Sequence, residues 1–371
     1  MMKKLFKFDM ILTEEEMCDR EAEKQRLISL MKRAGRVVIY SLRRMGKTSL
    51  VDVCSRKIRG EVPNAFHLYV DLNEVESLSE VALRFHSHYE QALKEQIPMQ
   101  RAKQLIASLM SKLKLKIPGG FELSMNKCPG EKSEAYLMSL FQELRDMASS
   151  YEISLIIDEF QGIAELSDVQ ALLRREIQKL NKSAVVLMGS NQRLLYKMFN
   201  DKSFPFFGFG EDIELHEIPL SEYLPYMNER FAMSDIHISK DVAEYMADRM
   251  NNIPNYINEL GAWIVDTMNN VELTNEHIDV ALEAATQSKR GRYHSVLYGY
   301  TANQKKFLKA VAKTGRLDSA TGQQMQNLTE LSATELSRAN SDLENSPLIS
   351  HDTDNRLFII DPFLKSFIET L

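Results

Sequence analysis

The chain has 371 residues, 44% of them hydrophobic and 26% charged, with a formal net charge of −6. That length exceeds one ordinary core and implies two or three domains; the composition excludes a disordered, collagen-like or disulfide-dense chain. The acidic balance excludes a global field drawing nucleic acid or anionic membrane, leaving only local basic patches to weigh. Cys18, Cys54 and Cys128 stand apart with no C-x-x-C pair, which fits reduced thiols and neither a disulfide framework nor a zinc site. The opening "MMKKLFKFDMIL" is basic, but Lys7 and Asp9 interrupt its apolar run. With no stretch near the roughly 20 apolar residues that cross a bilayer, a cytoplasmic chain without membrane contact is expected.

In chain order, Thr13 and Glu16 have capping-box spacing, and Leu27, Ile28, Leu30, Met31 and Ala34 form a helical stripe closed by Gly35. "RVVIY" (36–40) is a β-branched run without polar alternation, as expected of a buried parallel strand. "SLRRMGKT" follows it and opens a helix. Further buried strands are expected at 66–72, 153–158, 184–189 and 212–218, with helices at 78–95, 132–149 and 168–181 between them. Strands alternating with helices predict an α/β fold, a parallel sheet covered on both faces. Residues 97–131, with a Pro-Gly-Gly turn, read as an insertion.

After Pro219 the strand signals stop, and 221–234, 239–250, 254–269 and 274–288 read as an all-helical unit. The stretch 288–301 reads as a linker. Helices at 302–314, 320–328 and 332–344 then lead to two apolar strands around an Asp/Asn turn, which suggests a winged helix-turn-helix. The expected domains are 1–219, 220–288 and 289–371.

The chemistry concentrates in the first of these. Gly46, Lys47 and Thr48 supply the end of a phosphate-binding loop, where lysine neutralises β/γ oxygens and the hydroxyl binds Mg²⁺. Ser41 stands where that loop usually begins with glycine; serine serves if its φ is negative, and a basic strand–helix turn would carry the same letters. "ISLIIDEF" ends an apolar strand in Asp158, placed to hold Mg²⁺ beside Thr48, and Glu159, placed to polarise the attacking water. A strand-end acid can equally be a helix cap. Ser190 and Asn191 end the strand "AVVLMG", where a polar residue can sense the γ-phosphate or simply close a turn.

Taken with "CDREAEKQRL", "VVLMGSNQ", "FPFFGFGEDIEL" and "NNIPNYI", these motifs resemble the archaeal-ATPase group of STAND-type P-loop NTPases, relatives of AAA+ ATPases, from about residue 17 onward. The resemblance implies a strand order 5-1-4-3-2, a helical lid, a C-terminal winged helix, and ATP with Mg²⁺ bound between core and lid. It matches Gly46, Lys47 and Thr48 to the phosphate loop, whose neighbours Ser41, Arg43, Arg44, Met45 and Ser49 are further nucleotide-binding candidates, places Asp19 and Arg20 near the adenine, and makes Pro254 the lid proline over the nucleotide. The lid motif reads Asn251–Asn252–Ile253 where glycines are usual.

Other signals are weaker. Arg43 and Arg44 could touch the γ-phosphate, pair with Asp158 or Glu159, or stay solvated. Arg174 and Arg175 could be fingers toward a neighbouring subunit or plain helix-surface charge. His86 and His88, two apart on a helix, make poor metal geometry and read as a solvated face; Trp263 reads as core. Residues 284–316 carry eight Lys/Arg, no Asp or Glu, and Tyr293, Tyr298 and Tyr300, whereas 317–371 hold nine acids and three bases. Duplex binding through Lys305, Lys306 and Lys309 is one reading. The acidic helix and wing argue against it, so a protein or intramolecular contact, or self-association, is favoured over DNA. Three functions remain: an ATP-hydrolysing switch, a DNA-associated ATPase, and an adaptor that binds nucleotide without turnover.

Overall fold

The computed structural model describes residues 5–112, 131–344, 346–352 and 354–371. The chain divides into two compact units: Ile11–His216, and Met1–Met10 joined with Glu217–Leu371.

The first unit is built on five parallel strands: β1 (Arg36–Tyr40), β2 (Ala65–Asp71), β3 (Glu152–Asp158), β4 (Ser183–Gly189) and β5 (Glu211–Glu214). Their spatial order is β2-β3-β4-β1-β5, the order 5-1-4-3-2 read from the opposite edge. Alternation explains the two covered faces. Val37 and Ile39 of β1 point with Ile156, Val186 and Met188 toward helices Glu21–Lys32 and Lys47–Glu61. Val38 and Tyr40 join Leu68, Leu155 and Leu187 in the larger core on the other side, against helices Leu78–Gln96, Glu131–Met147 and Ser167–Gln178. Within the expected insertion, helix Met99–Lys112 packs against Leu78–Gln96 and Glu131–Met147. The Pro-Gly-Gly turn and Cys128 lie outside the described residues.

At the edge strand β2, Gln96 donates to the His67 carbonyl at 2.8 Å and accepts the His67 N–H at 2.9 Å. Near the start of the unit the helix does not begin at Thr13. The Thr13–Glu16 box closes a single 3-10 turn, Asp19 and Arg20 take positive φ (55° and 73°), and the helix starts at Glu21. Its C-terminal end is held by Ala34 at φ 54°, while a side chain at Gly35 would lie 2.8 Å from the Leu30 carbonyl.

The second unit is mainly helical. Leu220–Ala232, Lys240–Arg249, Pro254–Thr267 and Asn275–Ser288 form as read, with a two-residue parallel pair, β6 (Ile236–His237) and β7 (Val271–Glu272), that an all-helical expectation lacks. Phe6 packs fully buried on Tyr226 and Phe231, and Gly261 gives it room, so the first residues belong to this unit. The stretch read as a linker is helix Arg290–Tyr298: Tyr293 and Leu297, one turn apart, are both buried. Helices Ala302–Thr314, Gln323–Thr329 and Ala333–Glu344 precede an antiparallel pair, β8 (Ile349–His351) and β9 (Leu357–Ile359). A last helix, Pro362–Glu369, is capped by Asp361 and packs on both Asn275–Ser288 and Ala302–Thr314. Segments 220–288 and 289–371 therefore share one unit. Among the described residues no helix is long and apolar enough to cross a membrane.

Candidate nucleotide site

The carboxyl ends of β1, β3 and β4 bring together the residues singled out in the first unit. Ser41 follows β1 fully buried and is not among the residues of positive φ; the loop turns instead at Arg44 (φ 70°) and Gly46 (φ 92°). Nothing crowds the position a Gly46 side chain would take, so glycine is needed there for its φ and not for space. Arg44 accepts a conformation that costs an L-residue about 1 kcal/mol, as backbone held at functional turns often does.

Lys47 begins the helix with its ammonium inside the loop, donating to Ser41 Oγ at 3.0 Å and to the Leu42 and Ser41 carbonyls at 3.2 and 3.4 Å. The serine hydroxyl thus does what a glycine could not: it holds the lysine head. Burial pulls the Lys47 pKa down to about 8, opposed by the negative charges of Glu159 and Asp158. Arg43 is exposed beside it, Met45 is buried, and Ser49 Oγ accepts the Leu12 N–H at 3.0 Å.

Thr48 Oγ1 donates to Asp158 Oδ2 at 3.1 Å, and the Tyr69 hydroxyl, from β2, donates to the same oxygen. Burial raises the Asp158 carboxyl above its ordinary range, and the adjacent Glu159 raises it further, against the Tyr69 hydrogen bond. Two hard oxygens in contact, on a carboxylate short of cationic charge, fit a Mg²⁺ ion. Glu159 sits at φ 48°, its N–H bonded to Asp158 Oδ1 at 2.8 Å. One of its carboxylate oxygens accepts Ser190 Oγ–H at 2.8 Å, Ser190 N–H at 3.3 Å, and the Gln161 side-chain amide.

Other candidates fall elsewhere. The Asn191 side chain caps helix Gln192–Asn200. Arg20 is buried, bonded to Glu23 and to the His216 carbonyl at 2.6 Å, with Asp19 beside it in the left-handed turn. Pro254 lies in the second unit as the first residue of its helix, its carbonyl accepting Tyr223 O–H at 3.3 Å. Arg174 lies against Phe206 and Phe209 and bonds the Pro205 carbonyl at 3.1 Å, and Arg175 pairs with Glu134 and Glu176. His86, read as solvated, is buried with its ring on the Tyr136 hydroxyl. Within the second unit Lys289 pairs with Glu259, Arg316 with Asp352, and Tyr293 donates to Asp361.

Sequence reasoning missed Tyr69 and Gln161. A polar ring near the end of the apolar strand "FHLYVDL" was the available signal for the first. The second stood in "DEFQ", two residues from Glu159, without an assigned role.

No protein-family model matches the chain, and no curated protein sequence matches it. Among solved structures the chain resembles the Walker-type ATPase PABY2304 of Pyrococcus abyssi, with a TM-score of 0.67 at 17% identity over 98% of this chain and 99% of that one. It also resembles the Aeropyrum pernix ORC2 protein in its ADPNP–ADP complexes (0.54, 14%, 99% and 97%) and A. pernix ORC1 in complex with DNA (0.51, 15%, 95% and 93%). At such identities the likeness is one of fold. Sheet order and phosphate loop together define a chain with the fold of P-loop ATPases.

Proposed function

We propose that the chain is an ATP-hydrolysing molecular switch of the STAND/AAA-related kind, working in the cytoplasm. The observation that carries this reading is the connected group of Lys47, Thr48, Asp158, Glu159 and Ser190 at the strand ends. Mg²⁺, held through Thr48 and Asp158, would neutralise charge on the β- and γ-phosphate oxygens. The chain's own residues do the rest. Backbone N–H groups of the loop and helix start take phosphate oxygens, and the buried Lys47 ammonium leaves Ser41 for the β/γ oxygens. Glu159, with one oxygen anchored, turns its other toward the attacking water and orients it. Ser190, bonded to Glu159, would carry the γ-phosphate state to it.

The helices after Glu217 are the proposed read-out, 220–288 as the lid with Pro254 and 289–371 as a winged helix-turn-helix. A protein partner or a second copy of the chain is the proposed recipient. The ion pairs of Lys289 and Arg316 within the unit favour intramolecular use of the basic stretch over DNA. The test is ATP binding and phosphate release by the purified protein, beside Lys47→Ala and Glu159→Gln. Turnover in wild type, binding without turnover in Glu159→Gln, and neither in Lys47→Ala is the expected set. Binding by none of the three would make the chain an interaction module on an ATPase scaffold.

A further inference from the structure

We propose that Gln161 is a positioning residue for Glu159, fixing which carboxylate oxygen faces the attacking water. The inference rests on the role given to Glu159 above.

The first observation is the asymmetry of the glutamate. All three donors it receives, the Gln161 amide and the Ser190 N–H and Oγ–H, converge on Oε2. Oε1 takes none of the described hydrogen bonds. A carboxylate anchored through one oxygen keeps the other as a directed acceptor, whereas a free one rotates between equivalent states.

The second observation is how the amide is held. Gln161 Oε1 is buried and accepts no hydrogen bond among the described residues. The amide cannot gain by turning over, because its oxygen would then face a carboxylate. An orphaned buried acceptor is the cost of aiming Nε2 at Glu159, a cost found where geometry serves a purpose other than stability.

Third, two glycines make the arrangement possible. A side chain at Gly189, the last residue of β4, would lie 1.9 Å from Gln161 Oε1. One at Gly162 would lie 2.1 Å from the Leu72 carbonyl, so the one-turn helix Phe160–Ile163 that carries Gln161 closes only with glycine there. Glu159 sits in the left-handed region and its carbonyl accepts the Gly162 N–H at 2.8 Å, so the turn, the amide and the glutamate are joined by hydrogen bonds.

The experiment measures steady-state phosphate release, nucleotide affinity and the unfolding midpoint for wild type, Glu159→Gln, Gln161→Met, Gly189→Ala and the double variant Glu159→Gln/Gln161→Met. Methionine keeps the length of glutamine and removes its N–H. Expected for Gln161→Met is a kcat about ten- to a hundredfold lower, as for a displaced catalytic group, with KM and nucleotide affinity within about threefold. Gly189→Ala, which ejects the amide from the other side, should give the same split. In the Glu159→Gln background Gln161→Met should cost nothing further, since two residues acting through one group are not additive. Full turnover by Gln161→Met beside a dead Glu159→Gln overturns the inference and leaves the function standing. An equal loss in both backgrounds also overturns it, and so does a raised kcat, which would make the amide a restraint. Wild-type turnover by Glu159→Gln removes the role of Glu159 and the inference with it.

Discussion

Asp158 in the first unit and Asp352 in the second are the same side chain, both little exposed, and their carboxyls are shifted in opposite directions. Asp352 accepts the Arg356 backbone N–H at 2.9 Å and the Arg316 and Arg356 guanidinium groups at 2.7 and 2.9 Å, and these bonds outweigh its burial, holding its pKa down to about 2. Asp158 receives two hydroxyls and stands next to Glu159; burial dominates and raises it. Lys47 repeats the pattern, pulled down to about 8 by burial in a loop that supplies only neutral oxygens. Asp352 is matched by arginines of its own unit, while the nucleotide unit keeps a cation and two anions near one another without full compensation. An incompletely compensated site gains when a Mg²⁺–nucleotide complex brings both signs of charge; a matched one gains nothing from a ligand.

That contrast can be broken most forcefully at Lys47. Lys47→Ala should weaken ATP binding about a hundredfold or more, since a charge-assisted contact to phosphate is among the strongest available; titration with a fluorescent ATP analogue reads it. Unchanged affinity would mean that the loop's lysine is structural. Glu159→Gln should lower phosphate release about a hundredfold at similar affinity, which would separate a role on water from a role in holding nucleotide.

On the other side of the comparison, Asp352→Asn should cost about 1–2 kcal/mol of unfolding free energy and leave nucleotide affinity alone. The pH dependence carries the same contrast. With a folded pKa below its unfolded value, Asp352 stabilises above about pH 4 and that contribution disappears as pH falls through about 2. Asp158, raised, runs the other way: it is unfavourable when ionised in the folded protein, and protonation relieves it as acidity increases. Chemical denaturation of wild type and of each Asp→Asn variant from pH 7 to 3 distinguishes the two signs. The smallest effect is expected for Tyr69→Phe, which removes one donor from Asp158. The Mg²⁺ concentration for half-maximal hydrolysis should shift about two- to fivefold, the scale of one hydrogen bond, with the fold intact.

How much was legible follows from the range of each signal. The parallel strands and the phosphate loop rest on local patterns: β-branched runs, a glycine that must take positive φ, acids at the end of an apolar strand; the strand order came only with the family resemblance. Helix Arg290–Tyr298 was hidden because Gly291, Gly299 and a row of basic residues look like a linker. Its buried pair, Tyr293 and Leu297, acquires meaning only once Phe367 and Asp361, some 70 residues on, are in place. Helix Pro362–Glu369 was unread for the same reason, since both surfaces it joins lie earlier in the chain. At the site, Asp158 and Thr48 could be paired from motif knowledge, but Tyr69 reaches Asp158 across a strand pair whose register places Asp71 opposite Asp158. Ser41 was readable as a tolerated substitution. Its hold on the Lys47 ammonium depends on the loop's fold in space.

One small contact at the far margin of the sheet limits what can pair with that edge. The outward N–H and C=O of His67 are both taken by the side-chain amide of Gln96. A primary amide carries the same donor and acceptor as a peptide unit, so Gln96 stands in for one residue of a sixth strand. An edge strand is an open template for another polypeptide. Here the template is already filled at its middle by the protein's own helix, and a foreign strand would first have to displace it.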